Sequence, residues 1–419
     1  MSGAIVEVIT PTVAVIGGGP SGLRAATDLA SRVDGTVLVL ERESVAGGIP
    51  RHSDHLGYGM RDLHRVTTGP RYAEALRRRA EDAGVRVLTN AMVTGWAGDR
   101  SCEVTTPAGR LRIDAAAVVL ATGARERPRT ARLIPGARSR GVYTTGELQN
   151  VLHLAGRKVG TRAVVVGAEL VSWSAVLTLR SAGCATVLVA TEHPVPEAYA
   201  PAALLGRTVL RTRVATGVRV VRILGHPHVT GVELEQVATG RRRVVPCDTV
   251  VLTADWVPDN ELARAGGIGR DPASGSPSVD ASFRTDQEGV FAVGNLVHPV
   301  ETADVAALDG AAVVAPVVAY LGGRPWSTGH LALDVVPPLR WVSPARLSVD
   351  DAAPARDRLV LWVDEMVRRP CVVVRQDGTV RGRRRLPWPA APGRAFRVPW
   401  SVLDQVDRRG GPVQISLDH

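Results

Sequence analysis

The sequence predicts an α/β protein built on two nucleotide-binding βαβ units and closed by a small β-rich domain. Three observations carry this expectation. The run Val13-Ala14-Val15-Ile16-Gly17-Gly18-Gly19-Pro20-Ser21-Gly22 recurs, altered, as Ala163-Val164-Val165-Val166-Gly167-Ala168-Glu169-Leu170-Val171-Ser172. The offset of 150 residues still holds where Thr36-Val37-Leu38-Val39 meets Thr186-Val187-Leu188-Val189. After Gly329 the glycine turns give way to short β-type runs that hold Trp341, Trp362, Trp388 and Trp400, half of the eight tryptophans.

Taken in order, residues 12–16 are apolar and β-branched, 21–32 have helical spacing and 36–40 are apolar again, a βαβ unit of about thirty residues. A helix over 70–83 and strands over 85–88 and 116–120 continue the pattern. The second βαβ starts near Arg162, and its segment runs through 218–234 to a strand over 249–253. A strand over 290–293 then leads into one helix over 304–321, which reads as a return to the first domain. Near the end, Cys371 to Arg381 reads as a hairpin, with Asp377-Gly378 as a type I′ turn. The expected architecture is two Rossmann-like dinucleotide-binding domains, the second inserted in the first, plus a small β-rich C-terminal domain. Its expected limits are 1–154 with 251–329, then 155–250, then 330–419.

A chain of 419 residues should divide into several domains. The net charge of +10 suggests an anionic partner, but Lys158 is the only lysine among 51 basic residues, a skew that genome composition explains. The basic residues are spread along the chain and accompany no nucleic-acid motif, so nucleic acid is not an expected partner. Cys102, Cys184, Cys247 and Cys371 are too far apart for a metal knuckle or a CxxC pair, which leaves buried thiols and no metal site. The N-terminus carries Glu7 without a basic leader, and the densest apolar run, 311–321, is too short to span a bilayer. A soluble, cytoplasmic protein is expected.

Each glycine of the first turn has a task. Gly17 lets the chain turn off its strand, Gly19 lets backbone approach a pyrophosphate, and Gly22 lets the helix pack against the sheet. The helix beginning near Ser21 offers N–H groups and its positive end to phosphates. Glu41 ends the second strand, where a carboxylate can accept both ribose hydroxyls.

Two further motifs, Ala121-Thr122-Gly123-Ala124-Arg125-Glu126-Arg127-Pro128 and Thr285 to Asn295, each close an apolar strand. With the doubled βαβ unit, they make residues 10–325 resemble the FAD/NAD(P)-dependent pyridine nucleotide-disulfide oxidoreductase class. The resemblance implies FAD in the first site. It implies that Gly17, Gly19, Pro20, Ser21 and Gly22 hold the pyrophosphate, that Glu41 holds the adenosine ribose, and that Arg42, Gly48 and Val93 lie along the cofactor. Thr122 and Gly123 would line the crossing between domains. Gly294 and Asn295 would meet the ribityl phosphate, where the class usually has Gly-Asp. Backbone around Glu301, Thr302 and Ala303 would face the flavin pyrimidine edge. Ala121 to Pro128 and Gly141 to Gly146 also resemble the large-subunit type found with hydrogen cyanide synthase, opine oxidases and heteromeric sarcosine oxidase. That likeness implies that the partner is a second dehydrogenase or iron-sulfur subunit.

Disulfide reductases of the class place two cysteines beside the flavin, and Gly47-Gly48-Ile49-Pro50-Arg51-His52-Ser53-Asp54-His55 has none. A dithiol mechanism is not expected. In the resembling fold this segment passes the flavin ring, so His52 and His55 are the candidate catalytic residues; the same residues also fit a polar loop that satisfies its own backbone. In the second turn Glu169 replaces the close-approach glycine and Ser172 the packing glycine. Thr191 stands where the ribose acid would, with Glu192 one residue on and facing the other side of a strand. NAD(P)H is therefore doubtful there, and the domain could equally pack, dock a partner or take another ligand. Two functions follow: a FAD-dependent oxidoreductase acting on NAD(P)H or a small organic substrate, or a flavin-binding subunit of a hetero-oligomeric amine, amino-acid or hydroxy-acid dehydrogenase. For the second function the C-terminal domain, with 15 Arg against 10 Asp and Glu, offers a docking element, although a solvated strand face is the commoner meaning of such a run.

Overall fold

The structure is a computed structural model that describes residues 7–198, 212–299, 301–327, 329–350 and 353–418. The first and last expected domain limits, at residues 1 and 419, lie outside the described residues. Two five-stranded parallel sheets share the order of four strands and differ in the fifth, an edge strand that comes last in the chain in the first sheet and first in the second. The first runs Val290–Ala292, Ala117–Leu120, Val13–Ile16, Val37–Leu40 and Arg86–Leu88. The second runs Val142–Thr144, Thr249–Leu252, Arg162–Val166, Ala185–Ala190 and Val214–Ala215. In both, the strand feeding the glycine turn is central, and most inner strands are buried throughout. Continuous apolar runs rather than alternation are what a parallel sheet covered on both faces requires.

Among the described residues the α-helices, in chain order, are α1 (Pro20–Ala30), α2 (Gly69–Asp82), α3 (Thr145–Gln149), α4 (Leu170–Ser181), α5 (Glu261–Ala265), α6 (Ala303–Ala312) and α7 (Val314–Leu321). The expected single helix over 304–321 is two helices. Pro316 has no N–H to give the Ala312 carbonyl, so the ladder is interrupted at Val313. Together they make an apolar stretch, Ala303–Leu321, that is longer than the expected 311–321 and long enough to cross a membrane by composition alone. Half of it is buried within the protein, and its Asp304 and Asp309 are buried in ion pairs with Arg61 and Arg356. Those are the marks of a core helix.

Sheet membership moves the expected limits of the second domain outward. Val142–Thr144 and Thr249–Leu252 are neighbours in the second sheet, so cuts at 154/155 and 250/251 would divide that domain. The crossings lie at Ala124–Glu126 and Trp256–Pro258, which pair antiparallel as a two-stranded ribbon between the domains. Thr122 Oγ1 donates to the Asp259 carbonyl (2.7 Å), and the Asp259 N–H donates to the Gly123 carbonyl (2.9 Å). Spacing alone could not find these limits, because the linkers themselves are short strands.

The C-terminal domain packs a five-stranded sheet on a three-stranded one. Alternate residues Leu359, Leu361 and Val363, Val372 and Val374, and Val413 and Ile415 enter one core, and of these strands only Val413–Asp418 alternates buried with more exposed positions, Val360 and Val373 being buried too. The hairpin forms as expected, with Asp377 at φ 50° and Gly378 at φ 75°. This domain is fastened to the first by Arg397 on Glu301, Arg356 on Asp309 and Arg284 on Asp350.

Helices α1 and α6 press together at Gly310, where any Cβ would collide with the Ser21 carbonyl. Gly310→Val is expected to lower stability by about 1–3 kcal/mol through overpacking. Urea unfolding checks this, and an unchanged midpoint would contradict the packing.

Candidate functional site

The two glycine turns share a backbone plan. The Gly17 N–H donates to Leu40 O (2.9 Å), as Gly167 N–H does to Ala190 O (2.7 Å). The chain after the second strand then folds back over each turn, with Gly47 N–H on Gly18 O (2.7 Å) and Ala198 N–H on Ala168 O (2.9 Å). What differs is the chemistry at the head of each helix.

In the first copy Gly17 has φ 108°, and a side chain there would strike the Ala121 carbonyl; one at Gly22 would strike the Gly17 carbonyl. Gly19 caps α1 with no side-chain hydrogen bond, and the atom nearest to a Cβ on it is Gly48 Cα at 4.0 Å. The helix end is thus a bare ring of N–H groups, which suits an anion. The buried Glu41 accepts from Gly18 N–H through Oε2 and from Glu43 N–H through Oε1, both at 2.8 Å. A carboxylate has about four acceptor positions, so two remain for ribose hydroxyls. Gly294 lies against Ser21 so closely that any side chain would meet Ser21 Oγ. Val93 is buried in the strand Met92–Gly98, which follows Ala91, whose N–H donates to Glu41 O (2.9 Å).

Gly17, Gly19, Pro20, Ser21, Gly22, Glu41, Gly48, Thr122 and Gly294 therefore converge on one crevice. Arg42 lies outside it, largely exposed, with Asp259 Oδ2 3.4 Å away. Asn295 is spent on the neighbouring segment: its Nδ2 donates to Glu301 O (2.9 Å) and its Oδ1 accepts from Glu301 N–H (3.1 Å). Thr302 caps α6, and the Glu301 carboxylate beside it is held by Arg397. The residues of this first crevice fit FAD, on the open face of Gly19 and the free acceptor positions of Glu41.

The loop carrying His52 and His55 is pinned to the second domain. His55 Nδ1 donates to Leu56 O (2.8 Å), and its Nε2 lies 3.0 Å from Ser53 Oγ and 2.6 Å from Ser174 Oγ. The Gln149 amide donates to Ser174 Oγ (2.8 Å) and Ser53 Oγ (3.2 Å). Both rings are held below the usual histidine pKa, chiefly by burial. His55 is saturated by protein groups, whereas His52 is buried with Nδ1 unpartnered. Gln149 and Ser174 were not legible in the sequence, since nothing local marks a contact across more than a hundred residues.

The second turn is closed. Glu169 caps α4 from full burial, and its N–H donates to Ser172 Oγ (3.2 Å), which also bonds Thr253 Oγ1 (2.6 Å). Thr191 gives its hydroxyl to Glu197 Oε1 (2.8 Å), and Glu192 is exposed. A Cβ on Gly393, from the C-terminal domain, would lie 2.8 Å from Glu197 Cβ and 3.3 Å from Glu169 Cβ. Burial, reinforced by Glu126 and Glu197 and opposed by Arg132 and a Thr253 hydrogen bond, pushes the Glu169 carboxyl well up. Burial lifts Glu126 to about 7. The Arg132 guanidinium is spent on the carbonyls of Arg127, Thr253 and Ala254. These residues do not fit an NAD(P)H pyrophosphate.

A family profile described as pyridine nucleotide-disulphide oxidoreductase matches residues 11–310. The chain belongs to that family. An opine oxidase subunit of Agrobacterium tumefaciens (strain Ach5) is 29% identical over 346 residues, 74% of this chain and 63% of that protein. Probable ferredoxin reductase CtmF of Castellaniella defragrans (strain DSM 12143 / CCUG 39792 / 65Phen) is 30% identical over 223 residues, 52% of this chain and 51% of its own. The chain thus covers less than two thirds of either relative. T. acidophilum thioredoxin reductase has the same fold, with a TM-score of 0.64 at 19% identity over 74% of this chain and 98% of that one. The family match ends before the C-terminal domain that closes the second turn. The four cysteines are buried and unbridged, with burial raising Cys102 to about 12 and Cys184 and Cys247 to about 11.

A carboxyl with a raised folded pKa is neutral when folded and ionised when unfolded, from the ordinary 4.5 up to its folded value. Its contribution to stability therefore falls as pH rises across that window. Glu169→Gln, which stays neutral, is expected to gain on the parent protein as pH climbs above 4.5 in thermal unfolding. A constant difference between the two across that range would contradict the assignment.

Proposed function

We propose that this protein is a FAD-dependent oxidoreductase without a redox disulfide, taking reducing equivalents from a small organic substrate of the amine or hydroxy-acid kind. The observation that carries the reading is the contrast between an open, uncapped first turn and a second turn filled by Glu169. Bound FAD would supply the hydride and electron chemistry. The chain's part is to bind and orient: N–H groups of α1 on the pyrophosphate, Glu41 on the ribose, and Ser21 and Gly294 beside the phosphate. We assign to His52, through its unpartnered Nδ1, the role of accepting a proton or hydrogen bond from substrate, and to His55 that of positioning the loop. Buried thiols with raised pKa values, and none in the loop after Gly48, support a route that uses no dithiol.

A second reading is a flavin-binding subunit that relays electrons within a larger dehydrogenase, its partner being a second dehydrogenase or iron-sulfur subunit. Two relatives favour it, one belonging to an opine oxidase and the other being a probable ferredoxin reductase. The edge strand Thr379–Arg385 also exposes Arg384 and Arg385. Co-purification of a second chain that raises turnover would select it.

The expected result for the first reading is a yellow protein whose FAD is bleached anaerobically by a member of an amine and hydroxy-acid panel. Gly19→Glu, which writes the second turn's residue into the first, should yield colourless folded protein. His52→Ala should keep the flavin spectrum and lose about a hundredfold in turnover. Full flavin content in Gly19→Glu would overturn the site, and undiminished turnover in His52→Ala would remove that residue's role.

A further inference from the structure

The C-terminal domain bridges the two others through one short segment. At its start, Ala390 pairs with Val367 and is fully buried, as is Ala391, so the segment leaves the domain core under constraint. Gly393 then meets Glu169 and Glu197, and four residues on, Arg397 holds the buried Glu301 carboxylate at the head of α6. A turn and an ion pair from a single stretch thus land on both dinucleotide domains.

We infer that the second dinucleotide crevice is a socket for the chain's own C-terminal domain, the Gly393 turn standing where a dinucleotide pyrophosphate would have to stand and keeping NAD(P)H out. The two copies differ in what fills the space before the close-approach residue. In the first it is open, with only Gly48 Cα within 4.0 Å of a Cβ on Gly19. In the second, the equivalent space holds the Glu169 side chain, then Glu197, then Gly393. Glycine suits 393, where the turn has φ 76° and a Cβ would lie 2.8 Å from Glu197 Cβ.

The polar chemistry of the crevice agrees. A pyrophosphate site offers N–H donors, whereas Glu169 Oε1, Glu126 Oε1 and Glu197 Oε2 are buried acceptors without partners. Thr253 and Ser172 bond each other across the position that Gly22 keeps bare in the first copy. A dianionic group entering here would face carboxyl groups without help from the Arg132 guanidinium, which is committed to backbone carbonyls. The Ala391-Pro392-Gly393 turn brings no charge to this buried surface, whereas a pyrophosphate would bring two.

The socket shares the filled second turn with the functional reading, but its test needs neither flavin nor turnover, so the two can fail separately. In a Glu197→Gly background, which removes the Cβ that a side chain at 393 would strike, cysteines placed by Glu169→Cys with Gly393→Cys would have Cβ atoms about 3.3 Å apart, near the span of a disulfide. Mild oxidation of the folded double variant is expected to close the bridge, read as a loss of two alkylatable thiols by intact mass. In the unmodified protein, hydrogen exchange over 163–173 is expected to stay unchanged on adding millimolar NADH or NADPH. Thiols that remain alkylatable in a double variant shown folded by circular dichroism would overturn the inference. Slowed exchange over 163–173 with either nucleotide would overturn it too, and this arm stands even where the double variant does not fold.

Discussion

A helix that starts against a glycine turn leaves its first N–H groups without partners inside the helix, and what satisfies them decides the use of each half of this protein. In the first copy no side chain among the described residues does. Gly19 brings no side chain, and Gly48 passes in front at van der Waals distance. In the second copy the chain supplies its own groups: Ser172 takes the Glu169 N–H, and the Glu169 carboxyl fills the space ahead. The same strand, turn and helix thus give an anion site once and an internal contact once.

Burying three carboxyl groups around the second turn is costly unless they are neutral or bonded. Burial raises the pKa values of Glu126, Glu169 and Glu197, and Glu126 and Glu197 also accept hydrogen bonds, from Gly146 N–H (2.9 Å) and Thr191 Oγ1 (2.8 Å). Elsewhere the C-terminal domain is held by pairs that are well satisfied. Arg284 bonds Asp280 (2.7 Å) and Asp350 (3.0 Å), the latter drawn down to about 2 by the Arg284 hydrogen bond. Arg356 bonds Asp309 (2.9 Å), whose other oxygen meets His298 Nε2 (2.6 Å). Such charge-assisted bonds fix geometry more surely than they add stability. They hold the domain over the head of α6, next to the crevice that fits FAD.

Much of this was legible in the sequence because the signals are local. The glycine turn, the acid at Glu41, the apolar strands and the Asp377-Gly378 turn each depend on neighbours a few residues away. The motif that holds Gly294 was also legible, but its packing against Ser21 was not, since the two lie far apart in the chain. The crossings at Ala124–Glu126 and Trp256–Pro258 were not, because a three-residue strand has no periodicity to read. The break at Val313 lay hidden in an unbroken apolar run, although Pro316 was its visible cause. His52 and His55 read alike in sequence and differ in structure, as only the fold brings Ser174 to one of them. Most hidden was Gly393: a Pro-Gly turn signals a bend, and nothing in it names the distant carboxyl groups it covers.

Of the two duplicated crevices, the proposed function gives a dinucleotide to the first alone. Calorimetric titration of flavin-free protein with FAD, followed by NADH or NADPH on the saturated protein, tests it most directly. The expected result is one dinucleotide per chain, all of it FAD, with no further heat from either nicotinamide. A second saturable event bringing the total to two per chain would contradict it.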